Sequence, residues 1–175
     1  TSLLAEKAGR SLKVIFTGEG GDEVFAGYAR FRKHPMQRWL SNLLRPGTGG
    51  LRTRSHWPAD LRQRVYSPRL QAASHGFRRA QAEAWQAAPR AWSSLQRLQY
   101  YDLVAPLADK LLVKVDRSLM AWGVEARVPY LDHRVVEFGL SLPDALKVRG
   151  RVGKLFLRQW GQRHIPGNYL MQSKK

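Results

Sequence analysis

The densest group of residues able to do chemistry is Thr17-Gly18-Glu19-Gly20-Gly21-Asp22-Glu23. It follows the apolar, β-branched run Leu12 to Thr17 and opens a helical stretch, so it stands where a strand hands over to a helix. Sheets of α/β proteins hold their ligands at that place. The glycines let backbone approach a phosphate closely, and a helix start offers unpaired N–H groups to an anion. Three carboxylates in the same turn would repel that anion. They become useful if Mg²⁺ lies between carboxylate and phosphate, or if one of them handles a proton. The residues fit a plainer role equally well, a Gly-rich turn in which Asp22 and Glu23 complement a helix N-terminus.

A second constellation runs from Asp116 to His133 and includes Asp116, Arg117, Glu125, Arg127 and Asp132 among apolar neighbours. Its alternation places these charges against a core, where lone charges are costly and pairing is expected. A structural ion-pair network is the simpler reading of them.

The elements that must position these groups are mostly helical. Leu12 to Thr17 is the one clear strand and reads as buried and central. Asp22 to Arg32 predicts a helix, ended or kinked by Pro35. Met36, Trp39, Leu40, Leu43 and Leu44 form an apolar helical stripe that stops at Pro46-Gly47, and a loop follows to Pro58. Residues 61–90 read as helices without identifiable chemistry. Further helices are expected over 94–104, 111–122 (closed by Gly123), 134–142 and 154–164. About seven helices with one strand is an odd inventory for a self-contained α/β domain, because a central strand needs partners on both edges. The chain therefore reads as part of a longer domain, and the strand is expected to pair with another copy or with rearranged termini, a possible homo-oligomer.

Composition narrows the classes. The chain of 175 residues is 43% hydrophobic and contains no cysteine, so disulfides, thiolate zinc sites and a cysteine nucleophile are excluded within it. No signal peptide or membrane-spanning run is visible, which predicts a cytoplasmic protein without a membrane partner. The net charge of +17 raises nucleic acid as a partner. Because the basic residues are scattered from Arg10 to Arg163, a solvated outer face is the reading preferred over a specific nucleic-acid surface.

The segment Thr17 to Tyr28 resembles the Ser-Gly-Glu-Gly-x-Asp-Glu-x-Phe-x-Gly-Tyr signature of glutamine-hydrolysing asparagine synthetases of the B type. Met120 to Asp132 resembles that family's second signature, in the expected order. The resemblance implies the C-terminal portion of an α/β adenine-nucleotide-hydrolase-like (ATP-pyrophosphatase) domain, mostly α over these residues. It implies ATP and Mg²⁺, and a reaction in which ATP adenylates the side-chain carboxylate of aspartate and ammonia from a glutaminase domain displaces AMP. By position, Glu19 matches the carboxylate assigned to proton transfer and Asp22 the ligand of Mg²⁺ and pyrophosphate. Thr17, Gly18, Gly20, Glu23 and Tyr28 match nucleotide- and substrate-binding positions, with Thr17 standing where the family usually has Ser. The terminal Lys174 matches a lysine that stabilises the adenylation transition state, with Lys175 as an alternative register and a frayed basic terminus as the plainer reading. No Ser-Gly-Gly-x-Asp-Ser loop, the family's first nucleotide-binding loop, occurs in the chain. It is expected to hold half a site over residues 1–175 and to be inactive alone. A relative acting on another carboxylate, or closing a lactam, and a basic nucleic-acid-binding or scaffold module without catalysis are the competing readings.

Overall fold

The computed structural model describes residues 2–44, 58–166 and 169–171. Helix α1 (Ser2–Gly9) leads into strand β1 (Val14–Phe16), the Gly-rich turn and the single-turn helix α2 (Gly21–Val24). A 3-10 turn, Ala29–Arg32, precedes α3 (Pro35–Leu44). Helices α4 (Ala59–Val65), α5 (Pro68–Ala87) and α6 (Ser94–Asp102) follow. Local chemistry starts the last two: Ser67 caps α5 ahead of Pro68, and Ser93 forms a reciprocal capping box with Gln96 on α6.

Beyond Asp102 the helix does not stop as the sequence suggests. It widens into a π-helix, Leu103–Leu112, and continues as α7 (Val113–Met120). Pro106 sits inside the widened stretch, where its missing N–H makes the ordinary ladder impossible. Gly123, at φ +64°, then reverses the chain, as its position after the helix predicts.

The reversal delivers the main departure from the sequence reading, a second strand, β2 (Glu125–Arg127). It pairs parallel with β1 in the register Val14 to Glu125, Ile15 to Ala126 and Phe16 to Arg127. Ile15 and Ala126 rest on a core of Ala5, Val115, Leu119 and Val124. Val14 and Phe16 lie on the opposite face and are exposed, Phe16 at 78%. The expectation of a buried central strand is thus corrected: among the described residues β1 has one neighbour and one covered face. The charges of the second constellation are corrected with it. Asp116 and Arg117 are exposed, and Glu125 pairs with Arg127 at 3.0 Å on the open face, where water solvates both.

After β2 come a 3-10 turn, Pro129–Leu131, then α8 (His133–Ser141), α9 (Asp144–Lys147) and α10 (Leu155–Gly161). Asp132 caps α8 through the Arg134 N–H. Two further cores lie on this side, Val24, Phe25 and Leu142 beneath α2, and Ala26, Phe31, Trp85, Leu95 and Leu98 between the first 3-10 turn and α5 to α6. The apolar stripe of α3 is borne out as a helix, but Met36, Trp39, Leu40, Leu43 and Leu44 all face solvent. No helix among the described residues is long and apolar enough to cross a membrane.

Candidate functional site

The Gly-rich turn begins where Thr17 extends the sheet, its N–H donating to Arg127 O at 2.9 Å. Gly18 faces open space, whereas Gly20 and Gly21 lie close against the second constellation. Gly20 is left-handed (φ +88°), and a Cβ there would lie 2.2 Å from Leu131 Cδ2. Gly21 faces the ring of Tyr130, where a Cβ would sit 3.2 Å away. The first signature is therefore seated on the Pro129–Leu131 turn of the second, and the two meet through apolar contact instead of ion pairs.

The helix expected over 22–32 is broken. It ends at Val24, because Ala26 turns left-handed (φ +58°) and the Gly27 N–H bonds back to Asp22 O at 2.7 Å. A single turn carries little macrodipole, so the anion-binding argument from a long helix start does not hold here. What fixes α2 is a buried polar chain that the sequence reading missed. Gln99, fully buried on α6, donates from Nε2 to the carbonyls of Glu23 and Val24 at 3.0 and 2.6 Å. Lys147, 1% exposed, donates to Gln99 Oε1 and to Leu140 O, both at 2.9 Å. Burial lowers the Lys147 ammonium to about 8. The only trace in the sequence is a polar residue one step beyond Leu98 on an apolar helix face.

The predicted site residues divide into two groups. Thr17, Gly18, Glu19, Gly20 and Asp22 stay together in the turn, with Glu19 partly exposed. Asp22 Oδ1 lies 3.0 Å from Lys154 Nζ, each side chain about three-quarters buried. Glu23 and Tyr28 turn inward: Tyr28 Oη donates to Glu23 Oε1 at 2.5 Å, and burial together with that bond pushes the phenol well above its ordinary value. Arg30 lies over the Tyr28 ring at 4.6 Å and donates to Asp102 Oδ2 at 2.6 and 3.0 Å. Lys174 lies outside the described residues.

Asp102 is almost wholly buried, and burial pushes its carboxyl up to about 6 against the pull of Arg30. The folded protein therefore holds this proton more tightly than the unfolded chain, whose carboxyl titrates near ~4. The contribution of Asp102 to stability is then fully present at low pH and is lost as pH rises from about 4 to about 6. Asp102→Asn lacks this proton. The stability of the parent relative to the variant should drop by about 2–3 kcal/mol across that window. Urea unfolding of both at pH 4 and pH 7 measures it, and parallel stabilities would refute it.

A nucleotide and metal can be tested against this turn. The Thr17 hydroxyl oxygen is buried without a partner, as suits a group awaiting a ligand. No cluster of three or more His, Cys, Asp or Glu able to hold a metal exists among the described residues. Asp22 fits a Mg²⁺ that takes its remaining ligands from phosphate oxygens and water, the manner in which this ion is usually bound.

A family model described as asparagine synthase matches residues 1–175. The chain belongs to the asparagine synthase family. Among curated proteins it is similar to a putative glutamine-hydrolyzing asparagine synthetase of Mycobacterium bovis, 28% identical over 98% of this chain and 30% of that protein. It resembles asparagine synthetase 1 of Bacillus subtilis at 25% identity over 98% of this chain and 31% of the relative, and asparagine synthetase B of Escherichia coli at 22% over 94% and 20%. The chain thus spans less than a third of the length of these relatives. No solved structure matches. Gly20 on Leu131, Gly21 and Phe25 on Tyr130, and Thr17 on Arg127 together join the two motif segments in space.

Proposed function

We propose that residues 1–175 form part of an adenine-nucleotide-hydrolase-like synthetase domain that makes asparagine from aspartate, ATP and ammonia through an acyl-adenylate. The observation that carries this reading is the seating of the Thr17 to Glu23 turn on Pro129–Leu131 at the end of a parallel sheet, in a member of this family. ATP, when bound, supplies the adenylyl group that activates the carboxylate. In the chain, Gly18, with open space before it, admits phosphate to the backbone, Gly20 gives the turn the left-handed bend that shapes this site, and the Thr17 hydroxyl gives the phosphate a hydrogen bond. Asp22 takes the metal, and Glu19, partly exposed at the turn, moves a proton. Glu23 and Tyr28 act through each other, holding α2 against α6. Lys174 is assigned the neutralisation of charge at phosphorus, and a Ser-Gly-Gly-x-Asp-Ser loop and a glutaminase domain belong to the remainder of the site.

The reading is tested by aspartate-dependent exchange of ATP with labelled pyrophosphate. The parent polypeptide containing both nucleotide loops should exchange, and the 175-residue chain alone should not. Exchange by the chain alone would show that the other loop is dispensable. Exchange with a different carboxylate in place of aspartate would move the assignment to a related amidotransferase or lactam-forming synthetase, and none with any carboxylate would end it.

A further inference from the structure

Lys154 has no part in the proposed reaction. It reaches Asp22 from the start of α10, and the backbone is shaped on both sides to let it do so. Lys154 itself is left-handed at φ +55°, a conformation that costs any residue with a Cβ, and its N–H donates to Phe25 O at 3.1 Å. Ala26, the next residue after Phe25, is the other left-handed non-glycine residue among the described residues. The glycines between them leave no room for a side chain. A Cβ on Gly153 would lie 2.5 Å from Ala26 O. A Cβ on Gly27 would lie 1.7 Å from Asp22 Oδ1 and 2.5 Å from Lys154 Cε. Two strained residues and two obligatory glycines therefore converge on one contact, Lys154 Nζ to Asp22 Oδ1. An ordinary surface ion pair contributes too little to stability to explain such a concentration of strain.

We propose that Lys154 is an exchangeable counter-cation of the Asp22 carboxylate, holding it until a divalent ion arrives with a polyphosphate and then passing its ammonium to the phosphate oxygens. This rests on the reading of Asp22 as a metal ligand. The charges support an exchange. Asp22 and Lys154 are each about three-quarters buried, so neither tolerates being left alone. A divalent ion outcompetes a single ammonium at the carboxylate, and the polyphosphate supplies the released ammonium with anionic oxygens. The strained backbone holds the Nζ within reach of both partners, and no covalent step is involved.

The opposing effects of one variant test this. Lys154→Asn removes the charge while suiting the left-handed backbone, since Asn tolerates that region best after glycine. Mn²⁺ alone is titrated into the 175-residue chain and read by the electron-spin resonance of the free ion. Inorganic pyrophosphate with Mg²⁺ is titrated by calorimetry. Lys154→Asn should bind Mn²⁺ about tenfold more tightly and Mg²⁺-pyrophosphate about tenfold more weakly, the scale of one partly buried charge contact. Lys154→Arg should restore both toward the parent. Unchanged affinities, or equal losses of both, would reduce the pair to a structural brace and overturn the proposal. Asp22→Asn separates metal binding from the exchange. If it abolishes Mn²⁺ binding while Lys154→Asn shifts nothing, the exchange alone is wrong. If Asp22→Asn binds Mg²⁺-pyrophosphate like the parent, the metal-ligand reading falls and the proposal falls with it.

Discussion

Glu19→Gln in the parent enzyme should lower amide formation at least ~10²-fold, the scale of losing a positioned general base. The substitution keeps the shape and the hydrogen-bonding reach of the side chain and removes only its ability to hold a proton. Glu19 is partly exposed at the turn, away from the buried pairs that fix α2, so the fold should be indifferent to it. The neighbouring Glu23 provides the contrast. It is 2% exposed and accepts a hydrogen bond from Tyr28, so Glu23→Gln would keep the packing but weaken a buried charge-assisted hydrogen bond, and stability would change along with the rate. The measurement is the rate with saturating ammonia as nitrogen source, which bypasses glutamine hydrolysis. A loss confined to the glutamine-dependent reaction would place the defect in ammonia delivery, and near-parental rates with ammonia would make Glu19 a bystander.

The parts of this molecule that were legible in its sequence are those set by neighbouring residues. The apolar run ending at Gly18 is a strand, Gly123 closes a helix, a helix begins at Ser94, and the family resemblance carried by the two motif segments agrees with the family match. The parts that were not legible depend on contacts between distant segments. Glu125-Ala126-Arg127 is charged at two of three positions and carries no strand pattern. It is a strand because Gly123 turns it onto the edge of β1. The stretch 22–32 has helical spacing throughout, yet breaks at Ala26, where the backbone must accommodate Gly153 and Lys154 from the far end of the chain. Lys154 itself looks in sequence like any cation before an amphipathic helix. Gln99 is a polar residue in apolar surroundings that satisfies the carbonyls of a helix too short to satisfy itself, and Lys147 in turn satisfies the Gln99 side-chain oxygen.

Asp22→Asn should fail earlier in the reaction than Glu19→Gln, and the difference distinguishes a metal ligand from a proton carrier. The amide keeps the size of the carboxylate but loses its charge. A hard divalent ion that takes few protein ligands is then held through one fewer anionic oxygen. Aspartate-dependent pyrophosphate exchange, which reports adenylation alone, should therefore fall by ~10² or more, the usual cost of one charge-stabilising group. Raising Mg²⁺ should recover part of the rate, because the weakened step is metal binding; no such recovery is expected for Glu19→Gln. The loss of charge also leaves Lys154 beside a neutral partner, about three-quarters buried. That should lower stability by about 1–3 kcal/mol. Denaturant unfolding of Asp22→Asn beside the double variant Asp22→Asn with Lys154→Asn isolates that contribution: removing the orphaned ammonium should return stability toward the parent while leaving exchange impaired. Full exchange activity in Asp22→Asn at ordinary Mg²⁺ would exclude the carboxylate as a metal ligand. An impaired rate insensitive to Mg²⁺ would make Asp22 a structural partner of Lys154 alone.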